Sequence, residues 1–134
     1  MEPNITDHKQ IHVLLVEDEI MISEWVAQSL SEQGFAVRTA ANAADALDYL
    51  AADEVDVLLT DINLPGSMDG VTLSRRAREL RPNIPVIYAS ARATMLSPDA
   101  RVPGAIILPK PYQPALLGRL LSAAMHDAAA HSPA

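Results

Sequence analysis

Five short apolar runs, alternating with longer segments of a different period, constrain this chain more than any other feature. The first, Ile11–Val16 (IHVLLV), is β-branched and nearly continuous, which marks a strand buried on both faces. Phe35–Thr39, Val55–Thr60 (VDVLLT), Ile84–Ala89 (IPVIYA) and the brief Ala105–Leu108 read as further strands. Pro85 falls near the start of the fourth, where proline is tolerated. Between the runs the spacing becomes helical. Ile22, Trp25, Val26, Ala27 and Leu30 recur on one face from Glu19 to Gln33, and Gly34 follows where a helix C-cap belongs. Ala46, Leu47 and Leu50 mark a helix over Ala43–Ala52, with Asn42 as its N-cap. A third helix is expected over Val71–Leu80, with Pro82 beyond its end. Gln113–Ala130 is a long final helix with Leu116, Leu117, Leu120, Leu121 and Met125 inward. Another helix is expected within Ala93–Pro103, short or irregular because Pro98 and Pro103 interrupt it.

Strands alternating with helices imply an α/β fold: a doubly wound parallel sheet covered on both faces. The chain's 134 residues amount to one domain, and 49% apolar content provides a core. The tail from Ala128 to Ala134 is small and polar, and fraying is expected there. The net charge of −7 argues against non-specific binding to nucleic acid or to anionic membranes. There are no cysteines, which excludes disulfides, thiolate nucleophiles and thiolate metal sites. No apolar run approaches the roughly 20 residues that span a bilayer, and MEPNITDHKQ lacks a signal-peptide layout. A cytoplasmic location with no membrane insertion is therefore expected.

In a parallel sheet all strand C-termini share one edge, where ligands bind. The residues at those ends are chemically complementary. Glu17 and Asp18 follow the first strand, Asp61 the third and Ser90 the fourth; Lys110 follows the fifth with only Pro109 between. Three carboxylates, a hydroxyl and an ammonium thus converge on one rim. Clustered carboxylates repel one another unless a cation stands among them. Mg²⁺ suits such a place, because it takes oxygen ligands and binds through one or two carboxylates plus phosphate.

The stretches LLVEDE (Leu14–Glu19), LLTDINLPG (Leu58–Gly66), PVIYASA (Pro85–Ala91) and LPKPY (Leu108–Tyr112) resemble, in order, the motifs of bacterial two-component response-regulator receiver domains of the chemotaxis-regulator type. The resemblance implies a flavodoxin-like (βα)5 fold with strand order 2-1-3-4-5, and a receiver domain over residues 11–127 behind an extension at 1–10. It implies that Asp61 is the phosphoacceptor and that Asp18 is the principal metal-binding acid, with Glu17 beside it. Asn63 matches the position whose backbone carbonyl completes the metal site. Ser90 matches the hydroxyl that bonds the phosphoryl group, and Lys110 the lysine that pairs with it. Pro111 permits the cis bond often found after that lysine. The implied partners are a sensor histidine kinase or histidine phosphotransfer protein upstream and a protein target downstream, with no direct nucleic-acid contact.

The departures from the pattern are local. Ile107 stands where many members carry an aromatic. The Pro65–Gly70 loop is one residue longer than common versions. The segment between Ser90 and Lys110 is slightly short, so its helix is expected to be the least regular and most mobile element. Trp25 and Tyr112 are read as partly buried packing, and His12 as structural; no spacing supports a histidine metal site. Two other functions compete with the phosphorylation switch. One is a receiver cut from a hybrid histidine kinase. The other is a Mg²⁺-dependent aspartyl-phosphate phosphatase, which needs a second acid two residues after the nucleophile, where this chain has Asn63.

Overall fold

The computed structural model describes residues 10–91 and 96–131. Strands β1 (His12–Val16), β2 (Ala36–Ala40), β3 (Val57–Asp61), β4 (Val86–Ser90) and β5 (Ile106–Pro109) form one sheet. All neighbours are parallel, and the order is β2-β1-β3-β4-β5. This is the doubly wound arrangement implied above, with β1 and β3 central at the point where strand order reverses. The helices are α1 (Ile20–Glu32), α2 (Ala43–Ala52), α3 (Gly70–Leu80) and α4 (Pro114–His131). The last helix continues past Ala128 to His131.

Alternation along each strand sorts the core onto two faces. Leu14, Val16, Leu58 and Tyr88 face α2 and α3, while Val13, Leu15, Leu59 and Ile87 face α1 and α4. Both sets are buried, which is why the strands read as continuous apolar runs. Helix starts are set by side chains. Asn42 Oδ1 accepts the Asp45 N–H at 2.8 Å, and Asp69 Oδ1 accepts the Thr72 N–H at 2.8 Å. At the end of α1, Gly34 takes φ +101°, which lets the Phe35 N–H reach back to Leu30 O at 3.1 Å.

The helix expected over Ala93–Pro103 is not found among the described residues of that stretch. Ala93–Met95 lie outside the described residues, and no helix occurs among those described between Ser90 and Ile106. Two internal prolines and Gly104 at φ +77° break the repeat there. The connector is held from α3 and β4 instead. Arg75 donates to Ala100 O at 2.7 Å and Arg78 to Pro103 O at 3.0 Å. The fully buried Tyr88 accepts the Val102 N–H at 3.0 Å and shares a 2.6 Å hydrogen bond with Ser74. Tyr88 is also the cross-strand partner of Ile107. The aromatic missing from β5 thus has a neighbour in the adjacent strand.

Candidate functional site

Strand register brings the polar ends together. Val16 pairs with Thr60, so Glu17 and Asp61 emerge side by side from β1 and β3. Asp61 pairs with Ala89, which places Ser90 one residue farther along β4. Ser90 pairs with Pro109, and Lys110 comes next, its N–H donating to Ser90 O at 3.1 Å. Strand ends on four adjacent positions of one sheet therefore supply every side chain of the rim.

The Lys110 ammonium bridges two of these carboxylates. Its Nζ donates to Glu17 Oε1 at 2.7 Å and to Asp61 Oδ2 at 2.9 Å. Glu17 is 4% exposed, so a charge-assisted bond is needed there. Its second oxygen accepts the Glu19 N–H at 3.1 Å. Burial pulls the Lys110 pKa down, but the hydrogen bonds and charges of Glu17 and Asp61 outweigh it and hold the ammonium above its ordinary range. The peptide from Lys110 to Pro111 is cis.

Asp61 is fixed from several directions. Its Oδ1 accepts the Asn63 N–H at 3.3 Å, and its carbonyl accepts the Thr60 hydroxyl at 2.8 Å. The following loop closes through the Gly70 N–H to Ile62 O at 2.7 Å. Gly70 packs directly against the Asp61 backbone carbonyl, leaving no room for a Cβ. Sequence reasoning passed over Gly70 and the Asp69 cap; the only available signal was an Asp-Gly pair before a helical repeat.

Ligand oxygens of Glu17, Asp18 and Asp61 all lie within 4.8 Å of one another. That all-oxygen donor set, with Asp18 exposed to water, fits a hard divalent cation that keeps part of its hydration shell. Asn63 lies exposed beside it and Ser90 is 2% exposed.

Beside the rim, Ile22, Trp25, Val26, Ala91, Pro111 and Tyr112 enclose an apolar cleft of about 320 Å³ that reaches Lys110. Tyr112 packs against the core, as expected. Trp25 does not: it is 55% exposed, alongside Ile20 at 68% and Met21 at 84%. Helical spacing places Trp25 near the inward stripe, but it is Val26 and Leu30, with Ser23, that α1 buries. Among the described residues, no helix is long and apolar enough to cross a membrane.

The family model of the response regulator receiver domain matches residues 13–121. The transcriptional regulatory protein CseB of Streptomyces coelicolor is 44% identical over 84 residues, which are 63% of this chain and 35% of CseB. The chain thus spans about a third of that relative's length. The response regulator receiver protein CpdR of Brucella abortus is 34% identical over 102 residues, covering 75% of this chain and 84% of CpdR. A crystal structure of a response regulator receiver protein from Sinorhizobium medicae superposes with a TM-score of 0.84 at 30% identity, over 90% of this chain and 98% of that one. With this fold and this rim of strand-end residues, the chain belongs to the response regulator receiver domain family of two-component phosphorelay signalling.

Proposed function

We propose that Asp61 accepts a phosphoryl group from a phosphohistidine donor, a sensor histidine kinase or a histidine phosphotransfer protein. The observation that carries this reading is the Lys110 ammonium within hydrogen-bond reach of both Glu17 and Asp61. An Asp61 carboxylate oxygen attacks phosphorus, an O–P bond forms, the donor's N–P bond breaks, and its imidazole leaves with the electron pair. Such transfer asks little covalent work of the protein beyond positioning and charge neutralisation. The backbone bonds around Asp61 hold the nucleophile. Lys110 neutralises a phosphoryl oxygen, and Ser90 donates its hydroxyl to another. Glu17, Asp18, Asp61 and the Asn63 carbonyl would hold Mg²⁺, which supplies charge neutralisation when bound.

The adduct biases the rim between two arrangements, because Ser90 and Lys110 gain an acceptor that exists only after transfer. The output is altered binding to a downstream protein in the cytoplasm. Exposed Ile20, Met21 and Trp25, directly after the acidic pair, suit the approach of a donor protein. We assign no turnover of external phosphoesters, since Asn63 replaces the second acid such enzymes use. Intact mass after incubation with acetyl phosphate and Mg²⁺ tests the acceptor. The wild type is expected to gain one phosphoryl group and Asp61→Asn none; labelling that persists in Asp61→Asn overturns the assignment.

A further inference from the structure

At the opposite edge of the sheet a second group of metal-ligating side chains comes together. His12 opens β1, Glu54 lies between α2 and β3, and Asp56 immediately precedes β3. His12 Nδ1 stands 3.4 Å from Asp56 Oδ2 and 4.0 Å from Glu54 Oε2. One ligand atom from each of the three lies within 4.8 Å of the others. His12 Nδ1 is buried and, among the described residues, is the one buried side-chain nitrogen or oxygen with no hydrogen-bond partner. That ring nitrogen therefore faces two carboxylates without being satisfied by either.

Two of the residues are locked to each other. The His12 N–H donates to Asp56 Oδ2 at 2.8 Å, and the Asp56 N–H donates to His12 O at 2.8 Å. The ring and the carboxylate are thus brought together by main-chain bonds that an ion need not form or break. His12 and Glu54 also line an open cleft of about 610 Å³, which gives a hydrated ion access. Arg38, on the same cleft, is directed to Asp53 at 3.4 Å and over the Tyr49 ring.

We propose that His12, Glu54 and Asp56 form a divalent transition-metal site of the zinc class, separate from the phosphorylation rim. Adjacent ligand atoms around a tetrahedral ion with bonds of about 2.0–2.2 Å sit roughly 3.3–3.6 Å apart, close to the spacing between His12 and Asp56. An imidazole in the set favours Zn²⁺, Co²⁺ or Ni²⁺ over Mg²⁺ and Ca²⁺. Two carboxylates and a neutral ring balance the charge of a dication, and water completes the coordination. Because the ligands come from β1 and from the segment leading into β3, the ion cross-links the central strands and stabilises the folded chain by mass action.

The test uses the full chain carrying Asp18→Asn and Asp61→Asn, so that the phosphorylation rim does not compete. Co²⁺ is titrated and followed by visible absorption, and thermal melting is measured with and without Zn²⁺. One Co²⁺ with a low-coordinate spectrum is expected, together with a rise in melting temperature with Zn²⁺. His12→Gln and the exposed-site variant Glu54→Gln are each expected to weaken binding by at least about tenfold and to reduce the Zn²⁺ effect. Circular dichroism checks that each variant folds, and Glu54→Gln alone decides the matter if His12→Gln does not fold. Co²⁺ affinity and spectrum unchanged in the folded variants, or binding that vanishes with Asp18→Asn and Asp61→Asn, would overturn the proposal.

Discussion

Taking away the Lys110 ammonium leaves the buried Glu17 carboxylate beside Asp61 with no cation between them. Charge-assisted bonds of this kind contribute about 1.5–3 kcal/mol each, and an uncompensated buried carboxylate adds to the loss. Lys110→Ala is therefore expected to melt several degrees lower without Mg²⁺, and to gain more from added Mg²⁺ than the wild type does. Melting curves with and without the ion check this; an equal Mg²⁺ increment in both proteins contradicts it. At Gly70 the constraint is space. A methyl group there meets the Asp61 carbonyl and Ile62 Cα, which are backbone atoms and cannot rotate away. Gly70→Ala is expected to cost about 1–3 kcal/mol, and to slow labelling by acetyl phosphate because the peptide of Asp61, the proposed acceptor, is displaced. Urea melts and labelling rates read the two effects separately.

Among the elements, α1 and the β4–β5 connector do what their composition alone does not announce. The first turns of α1 carry Ile20, Met21 and Trp25 into solvent next to the acidic pair. Exposed side chains of that size contribute to association far more than to folding. Trp25→Ala is expected to leave labelling by acetyl phosphate within about twofold of wild type and to slow transfer from a phosphorylated protein donor by about tenfold or more, a split that a folding defect would not produce. The connector keeps its place without a described helix because α3 arginines and the Tyr88 hydroxyl satisfy its backbone. Arg81 plays a similar part at the end of α2, donating to Leu50 O at 2.9 Å and Val55 O at 3.1 Å. Arg75 and Arg78 of α3, and Arg81 at its C-cap, thus act as carbonyl caps on neighbouring segments.

For the molecule as a whole, the alkaline limb of stability carries the signature of the rim. Burial, more than any charge, pushes the Tyr112 phenol up to about 12 from 10.0; Lys110 pulls it down and the Glu17 and Asp61 carboxylates push it up. The folded chain then holds a proton that the unfolded chain releases across that window, so stability falls as pH rises through it. Lys110 acts with the same sign. Its contribution is complete below the unfolded pKa of about 10.4 and fades only as pH climbs toward its higher folded value. Stability should change little from these groups below about pH 9 and then fall by up to about 1.4 kcal/mol per pH unit for each. Urea melts across that range measure the slope, and Tyr112→Phe is expected to make it shallower; an unchanged slope counts against the raised phenol.

Local chemistry in the chain was enough to determine the alternating strands and helices, the Asn42 cap, the Gly34 turn, and the appearance of Glu17, Asp18, Asp61, Ser90 and Lys110 at strand ends. These follow from periodicity and from the geometry of a parallel sheet, which are properties of short windows. The strand order came by resemblance, since windows do not encode which strand lies beside which. Three features needed the tertiary structure. Trp25 faces water while Val26 and Leu30 of the same helix are buried, an orientation that depends on packing rather than on spacing. The β4–β5 connector is held by side chains from β4 and α3, contacts no local rule supplies. His12 meets Glu54 and Asp56 across 44 residues because β1 and β3 pair in register, and only that pairing turns a histidine read as structural into part of a three-ligand cluster.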